Sequence, residues 1–130
     1  MTKPVLQGQS DTAQADEAGL VPVPSGQPVI FHDVITDAPG PEGLTIRFRF
    51  LAPQIARDLG AVTYDIAAAD MLHLCQTYAL PRVSSIGPQP SQIVISLSDM
   101  PVPFGEAVPE ATQFFDAYRL EEGTCILELF

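Results

Sequence analysis

Basic residues are scarce in this chain: six Lys and Arg stand against sixteen Asp and Glu, a formal net charge of −10 over 130 residues. Binding to DNA or RNA depends on Lys and Arg neutralising phosphates, so the composition argues against a nucleic-acid partner and against anionic lipid surfaces. A basic protein partner would be attracted, although an acidic surface also serves simply to keep a small protein soluble. No apolar run reaches about 18 residues, so no membrane insertion is expected. The first nineteen residues, "MTKPVLQGQSDTAQADEAG", lack the apolar stretch of a secretory signal. A Gly-rich phosphate loop, a dinucleotide fingerprint and a Gly-x-Ser-x-Gly elbow are all missing. Ser84, Ser85 and Ser91 lie in loop sequence instead.

Histidine occurs twice. His32 and Asp33 are neighbours in a strand and project to opposite faces. Asp70 and His73 are one helical turn apart and supply two ligands without a third at sensible spacing; they read as a solvated surface pair. No catalytic residue, cofactor or metal set is assigned on this basis, and an enzymatic role is not expected.

What is present is enough apolar residue, 46%, for one domain with one core. Residues 1–19 are small, polar and aperiodic and read as a disordered tail. Residues 20–130 read as the single folded domain. "LVPVPSGQP" is an extended entry segment. "PVIFHDVIT" is a strand, and "DAPGPEG" is a turn. In "LTIRFRFLA", Leu44, Ile46, Phe48 and Phe50 alternate with Thr45, Arg47 and Arg49, which puts the first set on the core face and the two arginines outside.

Asp65 reads as the N-cap of "IAAADMLHLCQTYAL", with Ala68, Met71, Leu72, Cys75, Tyr78 and Ala79 on its buried stripe and Pro81 ending it. "QIVISLS" is apolar on both faces. "TQFFDAYRL" and "TCILELF" form a hairpin across "EEG", either Phe114, Tyr118 and Leu120 or Phe115 and Ala117 pointing inward. The expected fold is α+β: an antiparallel sheet of about five strands, in the order β-β-α-β-β-β, with one main helix packed on one face.

Three features bear on function. Cys75 lies on the helical stripe and Cys125 in the last strand. If the two faces meet, a bridge would close a loop of about 50 residues, worth roughly 4 kcal/mol; otherwise both are buried free thiols. Arg47 and Arg49 share a face and either pair with acids such as Glu128 across strands or form a contact for an anion or a partner. Finally, "SDMPVPFGEAVPEATQFF" sets Pro101, Pro103 and Pro109 around Phe104. Proline stiffens such a connection; Phe104 either tucks onto the core or stands out as a preorganised binding anchor.

At "VPSGQPV", "RFRFLAPQIAR", "HLCQTYALPR" and "GPQPSQIVISLSDMPVPFGEAVPEATQFF…GTC" the chain resembles a family of small alphaproteobacterial proteins without an assigned function, over roughly residues 20–130. Members of that family look secreted, with a signal ahead of the "VPVPSGQP"-like segment, where the first nineteen residues here differ. The resemblance implies a periplasmic or secreted setting, with the cytoplasm as the alternative, and in an oxidising setting it favours the Cys75–Cys125 bridge. Some members carry the label acetolactate synthase. The Gly-Asp-Gly motif for thiamine diphosphate is absent here and the chain is several times too short, so that label does not apply. The sequence therefore leads to a non-catalytic domain that binds a protein partner in the cell envelope, with Phe104, Arg47 and Arg49 as candidate contacts. A small-molecule-binding protein or small enzyme, with its site between the sheet and the proline-rich loops, is the alternative.

Overall fold

The computed structural model describes residues 19–40, 43–83 and 90–128. The proposed tail up to residue 18, part of the first turn (41–42), and Ser84 and Ser85 lie outside the described residues. Five strands form one sheet: β1 (Ile30–Gly40), β2 (Gly43–Leu51), β3 (Gln92–Ser98), β4 (Gln113–Glu121) and β5 (Thr124–Leu127). Their spatial order follows the chain. A helix, α1 (Tyr64–Leu74), runs between β2 and β3 and packs on β3 and β4. The protein is thus α+β with one main helix, as expected.

The sheet is mostly antiparallel, and one pair departs from the expected pattern. β2 and β3 run parallel, with Ile46 beside Ile93, Phe48 beside Ile95 and Phe50 beside Leu97. Parallel neighbours need a long crossover, and the forty residues between Leu51 and Gln92 supply it by carrying α1 over one face. The crossover starts with Ala52 N–H donating to the Ser98 carbonyl (2.8 Å) and a turn of 3₁₀ helix at Pro53–Ile55.

The alternation of β2 holds from Ile46 to Phe50, but Leu44, expected on the core face, is exposed, and Thr45, expected outside, is buried. Ile46, Phe48 and Phe50 are buried under the helix beside Ile93, Ile95 and Leu97. In β4 the inward set is Phe114, Tyr118 and Leu120, while Phe115 points to the opposite face and is 60% exposed. Fully burying each large apolar side chain stabilises the fold by about 1.5–3 kcal/mol. Tyr78 completes this core, its ring 5.5 Å from Phe31 and 5.3 Å from Phe50.

Several helical details correct the sequence reading. Thr63, not Asp65, is the N-cap, accepting from the Ile66 N–H. The buried stripe is Ala67, Asp70, Met71 and Leu74, continued by Cys75 and Ala79, while Leu72 is exposed. The stripe is rotated from the one that apolar residues alone suggest because Asp70 belongs to it. Far from forming a surface pair with His73, Asp70 is fully buried. Its carboxylate accepts from the Ser25 N–H (3.0 Å), the Ser25 hydroxyl (2.6 Å) and Gln27 Nε2 (2.8 Å). This clamp ties the extended entry segment to the helix and satisfies a charge that burial would otherwise penalise.

Pro81 does not end the helix either. The backbone widens into a π-type turn over Cys75–Ala79 and resumes as α2 (Leu80–Val83). A prolyl ring clashes with the carbonyl four residues back and lacks an N–H; a π-bulge just before it makes room. Cys75, in the widened turn, is bridged to Cys125 of β5, with Cα atoms 6.3 Å apart. Beside the bridge, Gln76 accepts from the Cys125 N–H (3.1 Å) and donates to the Gly123 carbonyl (3.1 Å). The shortest strand of the sheet is thereby held to the helix at two adjacent points. Among the described residues no helix is long and apolar enough to cross a membrane.

Two outcomes follow from this packing. Replacing Cys75 and Cys125 together by Ala should lower unfolding stability by about 2–4 kcal/mol, read as a lower urea midpoint; an unchanged midpoint would remove the bridge from the account. The Tyr118 hydroxyl is buried with no hydrogen-bond partner among the described residues, and burial pushes its pKa upward. Because an unsatisfied buried hydroxyl costs about 1–3 kcal/mol, Tyr118→Phe should leave stability unchanged or raise it. A clear loss in the same urea titration would show that the hydroxyl has a partner.

Candidate functional site

The face of the sheet away from α1 carries Arg47 and Arg49 of β2, Ser96 of β3, and Gln113 and Phe115 of β4. The connection from β3 to β4, residues 99–112, folds back across it. Its neck is closed by Asp99 N–H to the Thr112 carbonyl (3.0 Å) and Thr112 N–H to Asp99 Oδ1 (2.9 Å). Val102 near the start and Ala111 near the end are buried. Arg57 holds the far side, donating to the Pro109 carbonyl at 2.7 Å. At the tip, Glu106 N–H donates to the Pro103 carbonyl (3.2 Å), and Gly105 has φ of 87°. That left-handed value at the third position of a four-residue turn is what a type II turn requires and glycine supplies. Phe104 therefore occupies the exposed corner of the turn, 47% accessible, and it is Val102 that tucks down instead.

The two arginines, equivalent in the sequence, have different roles. In β1 the pairing slips by one residue: Phe31 faces Phe50, but Asp33, not His32, faces Arg49. A β-bulge of this kind re-aims the side chains that follow it. Asp33 is thereby delivered to the outer face, where Arg49 donates to both carboxylate oxygens, Nε to Oδ1 and Nη2 to Oδ2, each at 2.7 Å. Its remaining terminal nitrogen donates to the Val102 carbonyl (2.8 Å). Three of the five N–H groups of Arg49 are thus engaged, its charge is met by Asp33, and it fastens the proline-rich loop to the sheet. The hydrogen-bonded Arg49 holds the Asp33 carboxyl below the usual carboxylate range, and Asp33 raises Arg49 in return.

Arg47 lies opposite Ile35, an apolar neighbour. It takes part in no ion pair or hydrogen bond among the described residues, and its Nε is buried without a partner. Its guanidinium carbon sits 5.4 Å from the centre of the Phe104 ring, with Arg49 at 5.8 Å from the same ring. Burial, and then the neighbouring Arg49 charge, hold its pKa below the ordinary arginine value. The pairing partner anticipated for these arginines, Glu128, instead accepts from Gln92 (2.7 Å), and Arg119 pairs with Glu121 (2.8 Å).

Between the loop and the sheet lies a cleft of about 220 Å³, open to solvent. Arg47, Ser96, Val102, Phe104, Glu106 and Phe115 are among its lining residues. The structure thus brings together all three predicted contact residues, Phe104, Arg47 and Arg49. It adds Phe115 and Ser96, for which the sequence carries no separate signal: the pattern of β4 allows either face inward, and a serine inside the apolar run of β3 marks neither face. Cys75 and Cys125 are on the other side of the sheet, in the core.

The chain belongs to a family of unknown function, DUF6497, whose model matches residues 5–130. No curated protein and no solved structure matches it.

The Asp33–Arg49 pair makes stability depend on pH. A carboxyl whose folded pKa lies below its unfolded value contributes stability above the unfolded pKa, and loses it as pH falls through the folded one. The Asp33 side chain is 38% exposed, so solvent screens the pair and Asp33→Asn should cost no more than about 1 kcal/mol at neutral pH. Urea midpoints of wild type and variant should converge as pH drops below about 4. Midpoints that stay parallel into stronger acid would show that the pair contributes nothing to acid stability.

Proposed function

We propose that this domain acts by binding rather than by catalysis, and that the cleft under the proline-rich loop is its recognition site. The observation that carries the reading is Arg47: a half-buried guanidinium, unpaired among the described residues, 5.4 Å from the exposed Phe104 ring in a cleft that the exposed Phe115 also lines. Holding an unpaired polar group in a partly dry site costs free energy, and exposed aromatics beside arginine are the composition of binding hot spots. The loop is tied down at its neck, by Arg49 and by Arg57, so little ordering entropy would be lost when a ligand arrives. Outside the cleft the acidic surface suits a basic region of a protein partner.

The concave lining also favours the second reading, a ligand-binding protein, over a flat protein-docking patch. Its volume is below the roughly 300–1,000 Å³ of pockets that enclose a drug-sized molecule. The cleft therefore suits one side-chain-sized group, whether free or carried by a larger partner.

We further propose a periplasmic or secreted location. The Cys75–Cys125 bridge is compatible with an oxidising compartment, where such bridges persist. Trapping thiols with an alkylating reagent in intact cells should find none free on this protein; two reactive thiols would place it in a reducing compartment.

Binding is tested by immobilising the protein and passing envelope extract over it at low and high salt. Material retained by wild type should be lost with both Arg47→Gln and Phe104→Ala. Retention that both variants share with wild type would move the recognition site elsewhere.

A further inference from the structure

Resting on that reading of the cleft, we infer that it takes a carboxylate that carries an adjacent apolar group. The charge to be met is single. Of the two arginines in the cleft, Arg49 has its charge met by Asp33 and three of its five N–H groups bound to Asp33 and the Val102 carbonyl. Arg47 alone of the two has no charge partner or hydrogen bond among the described residues, and of its three nitrogens Nε is the one buried without a partner. The two terminal nitrogens of a guanidinium match the two oxygens of a carboxylate in a planar fork.

A phosphate dianion fits less well. It needs more donors than one guanidinium, and here it would meet Glu106 at the rim, within a protein of net charge −10. The same acidic field argues against any polyanion. Around the charge, Val102, Pro103, Phe104 and Phe115 form apolar walls, with Ser96 as a small polar group among them. A ligand that presents only a carboxylate would leave those walls wet. One with a phenyl or branched aliphatic group beside its carboxylate would cover them. Free small acids and the C-terminal residue of a peptide both have this chemistry.

Backbone amide spectra of the full chain, titrated with 3-phenylpropionate, its neutral amide and inorganic phosphate, test the inference. The acid should shift the signals of residues 45–49, 102–106 and 113–117. The neutral amide should bind at least about tenfold more weakly. Arg47→Gln should weaken the acid about as much while leaving the amide unchanged. Glu106→Gln, at an exposed rim position whose side chain makes no hydrogen bond among the described residues, should tighten the acid alone.

A short peptide ending in a free Phe carboxylate, compared with its amidated form, separates the sources. Tighter binding of the free-ended peptide than of 3-phenylpropionate assigns a chain terminus, and the reverse assigns a small acid. Equal binding of acid and amide, or tighter binding of phosphate, overturns the carboxylate assignment and leaves the cleft as a recognition site of another class. Absence of shifts with every probe also overturns it. The retention experiment with Arg47→Gln and Phe104→Ala then decides separately whether the cleft binds anything.

Discussion

Strand β3 is buried on both faces, and that requirement shapes the rest of the molecule. Ile93, Ile95 and Leu97 are fully covered on one side, and Val94, Ser96 and Ser98 are nearly so on the other. A strand at the centre of a sheet with two dry faces needs two covers. Helix α1 is the first. Because it lies in the crossover from β2, it also forces β3 to run parallel to β2 while every other pair is antiparallel. The second cover is the proline-rich connection from β3 to β4. It is too irregular to form a layer, so it must be held in place by specific bonds.

Those bonds explain the division of labour at the cleft. Arg49 links three pieces of chain, Asp33 of β1, its own strand and the Val102 carbonyl of the loop. With the loop fixed there, the type II turn projects Phe104 over the neighbouring guanidinium of Arg47. One arginine is consumed in building the cleft, and the other is left as the group the cleft can present. The disulfide and Gln76 do the corresponding work on the opposite side, keeping short β5 against the helix. The cleft and the bridge are therefore on opposite sides of the sheet: the bridge lies in the core and the cleft on the outer face.

Proline has two uses in the chain. In the loop it restricts the backbone near a turn that glycine completes. At position 81 it sits inside a helix, and the chain answers with a π-type turn. The widened turn carries Cys75 and Tyr78, and those two side chains join the helix to β5 and to the aromatic core. A local irregularity is thus found where two long-range contacts converge.

Much of the architecture is legible in residue patterning. The alternation in β2, the two-faced apolar run in β3 and the Gly-containing turn before β5 are local signals, set by steric periods of a few residues. With the apolar stripe of the one main helix, they determine the approximate strand positions and the α+β class. What depends on a neighbour distant in the chain could not be read the same way. Asp70 looks like a solvent-facing acid until Ser25 and Gln27 are brought to it. Asp33 and His32 are equally placed to meet Arg49 until a bulge selects one. Arg47 and Arg49 are chemically identical side chains on one face of one strand, and only register separates them, since one faces Asp33 and the other Ile35. The sequence by itself determined which segments are strands and helix, because backbone sterics and apolar periodicity act within a segment. Tertiary structure alone decided which of the two arginines is neutralised, because an ion pair forms only between groups that folding has brought within about 3 Å.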